Sequence, residues 1–289
     1  MIAVDVGGTK LAAGVVDDRG QLTDRGRIET PRHDHLDAER LWEDLVGLVD
    51  PVVEAAAGRA LALGVGCGGP MSPGGETVSP LNIPAWRDFP LRARLADRYG
   101  LPTAVENDAK ALALAEGWVG AAAGVDDYIA MVVSTGVGGG IVSGGQLLEG
   151  AGGNAGHVGH VIVEPAGRRC ACGGRGCLEA EASGLAIEAI TGSSPADAPA
   201  ELRARVGRLV GRAVASVAAL MDLRLAVVAG SVALGYGDAF FEAAQTELDE
   251  RARIAFARGV RIVPAGCGEE GPLIGAGAVG LRAVASSAS

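Results

Sequence analysis

Lysine is nearly missing from this chain: Lys10 and Lys110 are the only two, and arginine supplies the other basic side chains. We read this as a genomic bias, which leaves Lys10 standing out by its position. Positive charge is also in deficit. The 289 residues carry a net charge of −10, so no nucleic-acid or anionic-membrane partner is expected, because phosphates would be repelled. The opening Met1-Ile-Ala-Val-Asp5 lacks a basic start and meets an acid in its first apolar run. No secretion signal is therefore expected, and the chain is expected to be cytoplasmic. No unbroken hydrophobic span is found. The longest uncharged stretch, 128–148, is interrupted by six glycines and by Ser134, Thr135, Ser143 and Gln146, so two strands around a glycine turn explain it better than a membrane helix. The G-x-x-x-x-G-K-[ST] pattern does not occur, which excludes a P-loop. Gly64-Val-Gly66-Cys-Gly-Gly69 does fit G-x-G-x-x-G after an apolar run, but Pro70-Met-Ser-Pro73 follows and cannot open a helix. We read that match as accidental, or as a close approach of backbone to a ligand.

What is present describes a well-packed α/β protein. Apolar residues make up 48% of the chain and charged residues 21%, and the 46 glycines are about twice the usual share. The length suits two lobes better than one core. Short apolar runs predict strands at 2–6, 11–16, 61–65, 102–105, 128–133, 140–142, 225–229 and 260–263. Stripes at helical spacing predict helices at 36–57, 109–118, 202–221, 239–256 and 274–285, with a loop at 192–199. Strand, glycine turn and strand occur twice, once opening each half. This duplication suggests two related lobes with a cleft between them. Residues 1–110 form the first lobe, joined by a terminal helix at 274–289 that crosses back onto it, and 111–273 form the second.

Three of the five cysteines lie within eight residues, Cys170-Ala-Cys172-Gly-Gly-Arg-Gly-Cys177, and His160 lies ten positions upstream. Soft thiolates and an imidazole at this density suit four-coordinate zinc, and a C-x-C-x4-C loop needs its glycines to double back. The alternatives are three reduced thiols, or a disulfide with a spare cysteine. Four protein ligands would close the shell, so such a metal would hold a loop in place without activating water.

Asp5-Val-Gly7-Gly8-Thr9-Lys10 puts two glycines, a hydroxyl and an ammonium directly after an apolar strand. Free amides there can cradle phosphate, Thr9 can add a hydrogen bond, and Asp5 can hold Mg²⁺ through water. Ser134-Thr135-Gly136-Val-Gly138-Gly-Gly140 opens the second half in the same way. One such turn would be structural by default. A matched pair facing one cleft is what a nucleoside triphosphate requires. Lys10 is either a phosphate contact or a solvated lysine. Glu106-Asn107-Asp108 ends a short strand just before a helix. Asp108 is there either a helix cap or, beside two phosphate turns, a general base for a hydroxyl proton. Asn82, Asn107, His160 and Glu179 together could hydrogen-bond a polyhydroxylated ligand.

With these motifs on the page, the chain resembles the ROK family of bacterial sugar kinases and sugar-responsive repressors, over essentially its whole length. The resemblance rests on the two glycine turns, Glu106-Asn-Asp-Ala109, Gly156-His-Val-Gly-His160, the cysteine motif through Glu179, and Ile274-Gly-Ala-Gly277. The cysteine motif with its upstream Gly-His is highly specific, whereas the glycine turns are shared with the wider actin superfamily. The resemblance implies a two-lobed, actin-like (ribonuclease H-like) ATPase fold with an interlobe cleft. It implies an ATP-dependent hexose kinase acting on a sugar 6-hydroxyl, with ATP, Mg²⁺ and a structural Zn²⁺. Asp108 would be the catalytic base. Asn82, Asn107, His157, His160 and Glu179 would contact the sugar, and His160, Cys170, Cys172 and Cys177 would hold zinc. Asp5, Gly7, Gly8, Thr9, Lys10, Thr135, Gly136, Gly138 and Gly230 would serve the nucleotide, and a homodimer or homotetramer is implied.

His157 stands where glucose-phosphorylating members carry glutamate. A histidine can donate as well as accept, which would suit an acetamido oxygen, so N-acetylmannosamine is the favoured substrate and glucose the second. Val228-Ala-Gly230-Ser replaces the usual glycine triplet near the adenosine. The rival reading is a sugar-sensing protein without kinase activity. Its DNA-binding relatives place a helix-turn-helix ahead of the first phosphate strand, whereas this chain reaches that strand at Ile2 and is acidic.

Overall fold

A computed structural model describes residues 1–31 and 37–287. The chain divides into two compact units. Met1–Val119, Gly150–Gly153 and Cys267–Ser289 form the first, and Gly120–Glu149 with Asn154–Gly266 form the second.

In the first unit, β1 (Ile2–Val6), β2 (Lys10–Val16), β3 (Leu22–Glu29), β4 (Leu63–Cys67) and β5 (Thr103–Asn107) form a sheet in the order β3-β2-β1-β4-β5. β4 is buried along its whole length, as its unbroken run of apolar residues and glycine requires, and β1 is buried throughout as well, its one acid Asp5 included. β1 and β2 are antiparallel, closed by the Gly7–Thr9 turn, while β1, β4 and β5 are parallel. Helix α1 (Ala38–Ala56) connects β3 to β4, and α2 (Leu91–Tyr99) connects β4 to β5. Leu41, Leu45, Val49 and Val52 of α1 pack with Ile2, Val4, Leu63 and Val65 into one core. Asp37 caps α1 by accepting from the Glu39 amide.

Helix α3 (Asp108–Trp118) and the last helix, α9 (Gly271–Ser287), pack on each other and on β4 and β5. Ala3, Ala12 and Val16 meet Leu273 and Ala276 of α9. A side chain at Gly64 would overlap the Ala276 carbonyl and the Gly280 backbone. The first glycine of the G-x-G-x-x-G match therefore makes room for α9, not for a ligand.

The second unit repeats the plan. It contains β6 (Tyr128–Val133), β7 (Val137–Ser143), β8 (Gln146–Leu147), β9 (Leu225–Ala229) and β10 (Arg261–Pro264), in the order β10-β9-β6-β7-β8. Written from its other edge, that order matches the first sheet strand for strand: a hairpin at one side and two parallel strands at the other. The helices are α4 (Leu178–Ala182), α5 (Gly184–Thr191), α6 (Ala200–Met221), α7 (Ser231–Tyr236) and α8 (Asp238–Arg251). Val206, Leu209, Val210 and Val214 of α6 pack against Phe240, Ala244 and Leu248 of α8 and against Ile129 and Met131 of β6.

Several boundaries moved. The lobe division expected at 110/111 falls at Val119/Gly120, because α3 lies whole against α9, and Gly150–Gly153 also joins the first unit. β4 begins two residues later than expected, and β5 runs on to Asn107. β7 begins at Val137, so Gly138 is paired with Val132 inside the strand and is not part of the turn. The helix expected to 256 ends at Arg251, followed by a single 3-10 turn at Ala255–Ala257. The loop expected at 192–199 contains a 3-10 turn at Pro195–Asp197. The expected start of α1 at Leu36 lies outside the described residues. Among the described residues no helix is long and apolar enough to cross a membrane.

Candidate functional site

The first unit gathers the acids. Asp5, on β1, is 6% exposed, and its carboxyl is pushed up to about 7 by burial first, then by the charge of Asp108, against the pull of Lys10. A side-chain carbon at Gly66 would lie 4.0 Å from Asp5 Oδ1 and 3.9 Å from the Asp108 Cα, so both residues border the same point of β4. Cys67 beside them is fully buried, and burial, then Asp108 and Asp5, hold its thiol well above the ordinary range. A carboxylate this buried and this close to another is a strong oxygen donor seeking a cation, which fits Mg²⁺ chemistry.

The Gly7–Thr9 turn is held from two sides. Thr30 Oγ1 donates to the Gly7 carbonyl at 2.6 Å, and the Thr30 amide donates to the Thr9 carbonyl at 3.0 Å. Above the turn sits Asn82, so close that a side chain at Gly8 would overlap its Cβ. The Asn82 loop is fixed by its neighbours: Ile83 and Trp86 are buried, Trp86 stacks on Phe89 at 4.4 Å, and Trp86 Nε1 donates to the Ala38 carbonyl. A cavity of about 390 Å³ opens beside Asp5 and Lys10, bordered by Arg25, Arg27, Glu269 and Glu270. Arg25 and Glu270 are ion-paired.

Asp108 is exposed and is the first residue of α3. The capping position is Asn107, whose Oδ1 accepts the Ala109 amide at 3.1 Å; Asp108 Oδ1 accepts the same amide at 2.8 Å. Below them lies an ion pair between Glu106 and Lys110. Glu106 Oε1 accepts both the Asn107 amide at 2.8 Å and Lys110 Nζ at 3.1 Å. Lys110 is 1% exposed and also donates to the Gly153 carbonyl at 3.2 Å. A cation in the first turn of a helix opposes the helix dipole, so Glu106 is what makes Lys110 tolerable there. The (i, i+4) spacing of Glu106 and Lys110 was the available signal.

In the second unit, the turn after β6 is closed by the Ser134 amide donating to the Gly136 carbonyl at 2.9 Å. Glu179, on α4, approaches this turn directly: its Oε2 accepts the Val137 amide at 3.0 Å. Ser134 Oγ lies 3.0 Å from Ser231 Oγ, and Gly230, which follows β9 and caps α7, packs against the Val133 backbone. Next to them is a cavity of about 350 Å³ lined by Thr135, Leu185, Pro195, Ser231, Val232 and Tyr236, a mostly uncharged wall suited to an aromatic base.

His160, Cys170, Cys172 and Cys177 come together, with ligand atoms all within 4.8 Å of one another. His160 Nδ1 is 3.8 Å from Cys170 Sγ, and Cys172 Sγ is 3.7 Å from Cys177 Sγ. Tetrahedral zinc with ordinary Zn–N and Zn–S bonds spaces its ligands by about 3.5–3.8 Å, so the set fits the metal. The loop is also pinned at its base. Glu181 is buried, accepting the Arg168 amide at 2.6 Å and Arg205 Nη2 at 2.7 Å, while Arg212 Nη1 donates to the Val163 carbonyl.

His157 changes the specificity argument. Its Nδ1 lies 2.9 Å from the Asn154 carbonyl. A carbonyl only accepts, so Nδ1 carries the proton and the neutral ring presents Nε2 as an acceptor. The donor expected at this position is already engaged by backbone. The His157 and His160 rings lie side by side, 6.3 Å apart and 15° from parallel.

Comparison with known proteins gives a consistent result. The sequence profile of the ROK family matches residues 1–282. The N-acetylmannosamine kinase of Escherichia fergusonii is 39% identical over 252 residues, covering 82% of this chain and 84% of that protein. Among solved structures, the ROK hexokinase of Thermus thermophilus superposes with a TM-score of 0.85 at 34% identity, covering 99% of each chain. The ROK glucokinase of Streptomyces griseus, solved with glucose and AMPPNP, gives 0.81 at 31% identity, covering 98% of this chain and 99% of that one.

Proposed function

The chain belongs to the ROK family, with its actin-like fold, and from that premise we propose that it transfers the γ-phosphoryl group of ATP to the 6-hydroxyl of a hexose, N-acetylmannosamine first and glucose second. The observation that carries this reading is the pairing of two topologically equivalent glycine turns, one of them beside the acids Asp5 and Asp108.

Each glycine turn is of the kind whose backbone amides bind phosphate, and at the first Thr9 and Lys10 add a hydroxyl and a charge. Adenine takes the mostly uncharged cavity bordered by Ser231 and Tyr236. Mg²⁺, held through water by Asp5, would supply charge neutralisation on the phosphate oxygens. Asp108 accepts the proton of the 6-hydroxyl as its oxygen bonds to the γ-phosphorus and the bond to the departing ADP oxygen breaks. The transition state of such transfers is loose, so alignment of the hydroxyl by Asn82, Asn107 and Glu179 contributes as much as the base. His160, Cys170, Cys172 and Cys177 would hold Zn²⁺, which would keep the sugar-side loop in place.

The preference for an N-acetylated sugar rests on the histidine pair. With Nδ1 committed to the carbonyl, His157 offers an acceptor; with Nδ1 turned toward the Cys170 thiol, where it would be a metal ligand, His160 would offer its Nε2–H as a donor. An acetamido group presents the complement, one N–H and one carbonyl oxygen. The test is ADP formation with N-acetylmannosamine, N-acetylglucosamine, glucose, mannose and fructose. We expect the highest kcat/KM for N-acetylmannosamine. A higher value for glucose would overturn the substrate assignment, and no ADP with any sugar would overturn the kinase.

A further inference from the structure

The zinc loop and the second glycine turn are joined by a short rigid strut. Cys177, a metal ligand by the donor set above, is also the N-cap residue of α4. Two residues on, Glu179 Oε2 accepts the Val137 amide at 3.0 Å, and a side chain at Gly136 would stand only 3.0 Å from the same oxygen. Ser183 ends α4 and caps α5, and the first two amides of α5 turn back onto the glycine turn. Gly184 donates to the Ser134 carbonyl at 2.7 Å and Leu185 to the Thr135 carbonyl at 3.3 Å. On the other side of the loop, the Leu178 amide donates to the Val161 carbonyl, and Cys177 pairs with Ile162 in an isolated bridge. Residues 134, 135 and 137 therefore take their positions from α4 and α5, whose leading end is anchored by a metal ligand.

We propose that this strut makes the metal site a determinant of nucleotide affinity: with the site loaded, Glu179 and the start of α5 hold the Ser134–Gly136 turn in its phosphate-binding shape, in the absence of any sugar. Glu179 is thus a positioning residue for the donor as well as a sugar contact. The proposal rests on the kinase reading above and extends it from the sugar side to the ATP side.

The test is the Kd for AMP-PNP with Mg²⁺ and no sugar, measured by titration calorimetry. The samples are zinc-loaded protein, chelator-stripped protein, stripped protein with zinc restored, and the loaded Glu179→Ala and Glu179→Gln variants. Loss of one hydrogen bond to a charged acceptor weakens binding by about tenfold. We expect a loss of that order on stripping, its recovery on restoring zinc, a similar loss in Glu179→Ala, and a smaller one in Glu179→Gln. Amide exchange supplies the second readout: the segment 134–137 should exchange faster in stripped and Glu179→Ala protein while β9 and α6 keep their protection. An unchanged Kd in both stripped and Glu179→Ala protein would overturn the proposal and leave the kinase reading intact. Loss of protection throughout the unit, with no change particular to 134–137, would also overturn it, since the metal would then act only on stability. Absence of nucleotide binding by the loaded wild-type protein would overturn the kinase reading and this proposal with it.

Discussion

The two glycine turns share a backbone plan and differ in almost everything that faces them. Beside the first stand Asp5, Asp108 and Lys10, with the buried Glu106–Lys110 pair fixing the chain that carries Asp108. Beside the second stand Ser134, Ser231 and a mostly uncharged cavity with Glu188 on its wall, while Glu179 is engaged by the Val137 amide. The same strand order therefore carries two different chemistries. Ionisable groups crowd the first turn, and a mostly uncharged wall borders the second. Duplication supplies the frame, and the side chains placed on it divide the work.

Removing the base should separate the halves most sharply. Asp108→Asn is expected to lower kcat by about two to four orders of magnitude, the usual contribution of a general base, while sugar affinity by calorimetry stays near wild type. Near wild-type turnover would remove Asp108 from its role. The next largest effect lies beneath it. Lys110→Met leaves Glu106, 14% exposed, with a buried charge and no cation, which costs about 3–5 kcal/mol. Thermal unfolding should show the loss, and Lys110→Met with Glu106→Gln should recover most of it. An unaltered melting temperature in the single variant would show that the pair is not a brace.

Asp5 gives a pH signature particular to the first turn. Its folded pKa of about 7 lies above the ordinary carboxylate range, so the folded state holds this proton more tightly. The resulting stabilisation is complete below pH ~4, where both states are protonated, and is lost as pH rises to about 7, at most roughly 4 kcal/mol. Asp5→Asn should therefore be progressively more stable than wild type between pH 5 and pH 8 when Mg²⁺ is absent. Parallel pH–stability curves would contradict the assignment. The smallest effect belongs to the second half. His157→Glu exchanges one acceptor for another with added charge, and should move the ratio of kcat/KM for N-acetylmannosamine over glucose by about tenfold toward glucose. An unchanged ratio would place specificity elsewhere.

What the sequence revealed follows how local each signal is. Strand 225–229 is a continuous apolar run and strand 2–6 is one broken only by Asp5, and both have the bounds their runs predict. The four residues that come together as a candidate metal set are legible because three of them lie within eight positions. β3 was not visible because it is an edge strand reading Thr23-Asp-Arg-Gly-Arg27, and α2 was missed because only Leu91 and Leu95 of it are buried. Asp108 and Asn107 were legible as a motif, but which of them caps α3 depended on β5 running two residues further than its apolar core. The bond from Val137 to Glu179 joins residues 42 apart and has no local trace. His157 was legible as a departure, and its role as an acceptor emerged only with the Asn154 carbonyl in place.

The division of labour predicts strict coupling between the two halves, and the most direct measurement is stoichiometry. Wild-type protein, ATP and Mg²⁺ are incubated with and without N-acetylmannosamine, and ADP and sugar phosphate are quantified together. We predict one ADP per 6-phosphorylated sugar and negligible ADP when the sugar is omitted. ADP formed at the same rate without sugar, or sugar bound with no phosphorylated product, would contradict the account.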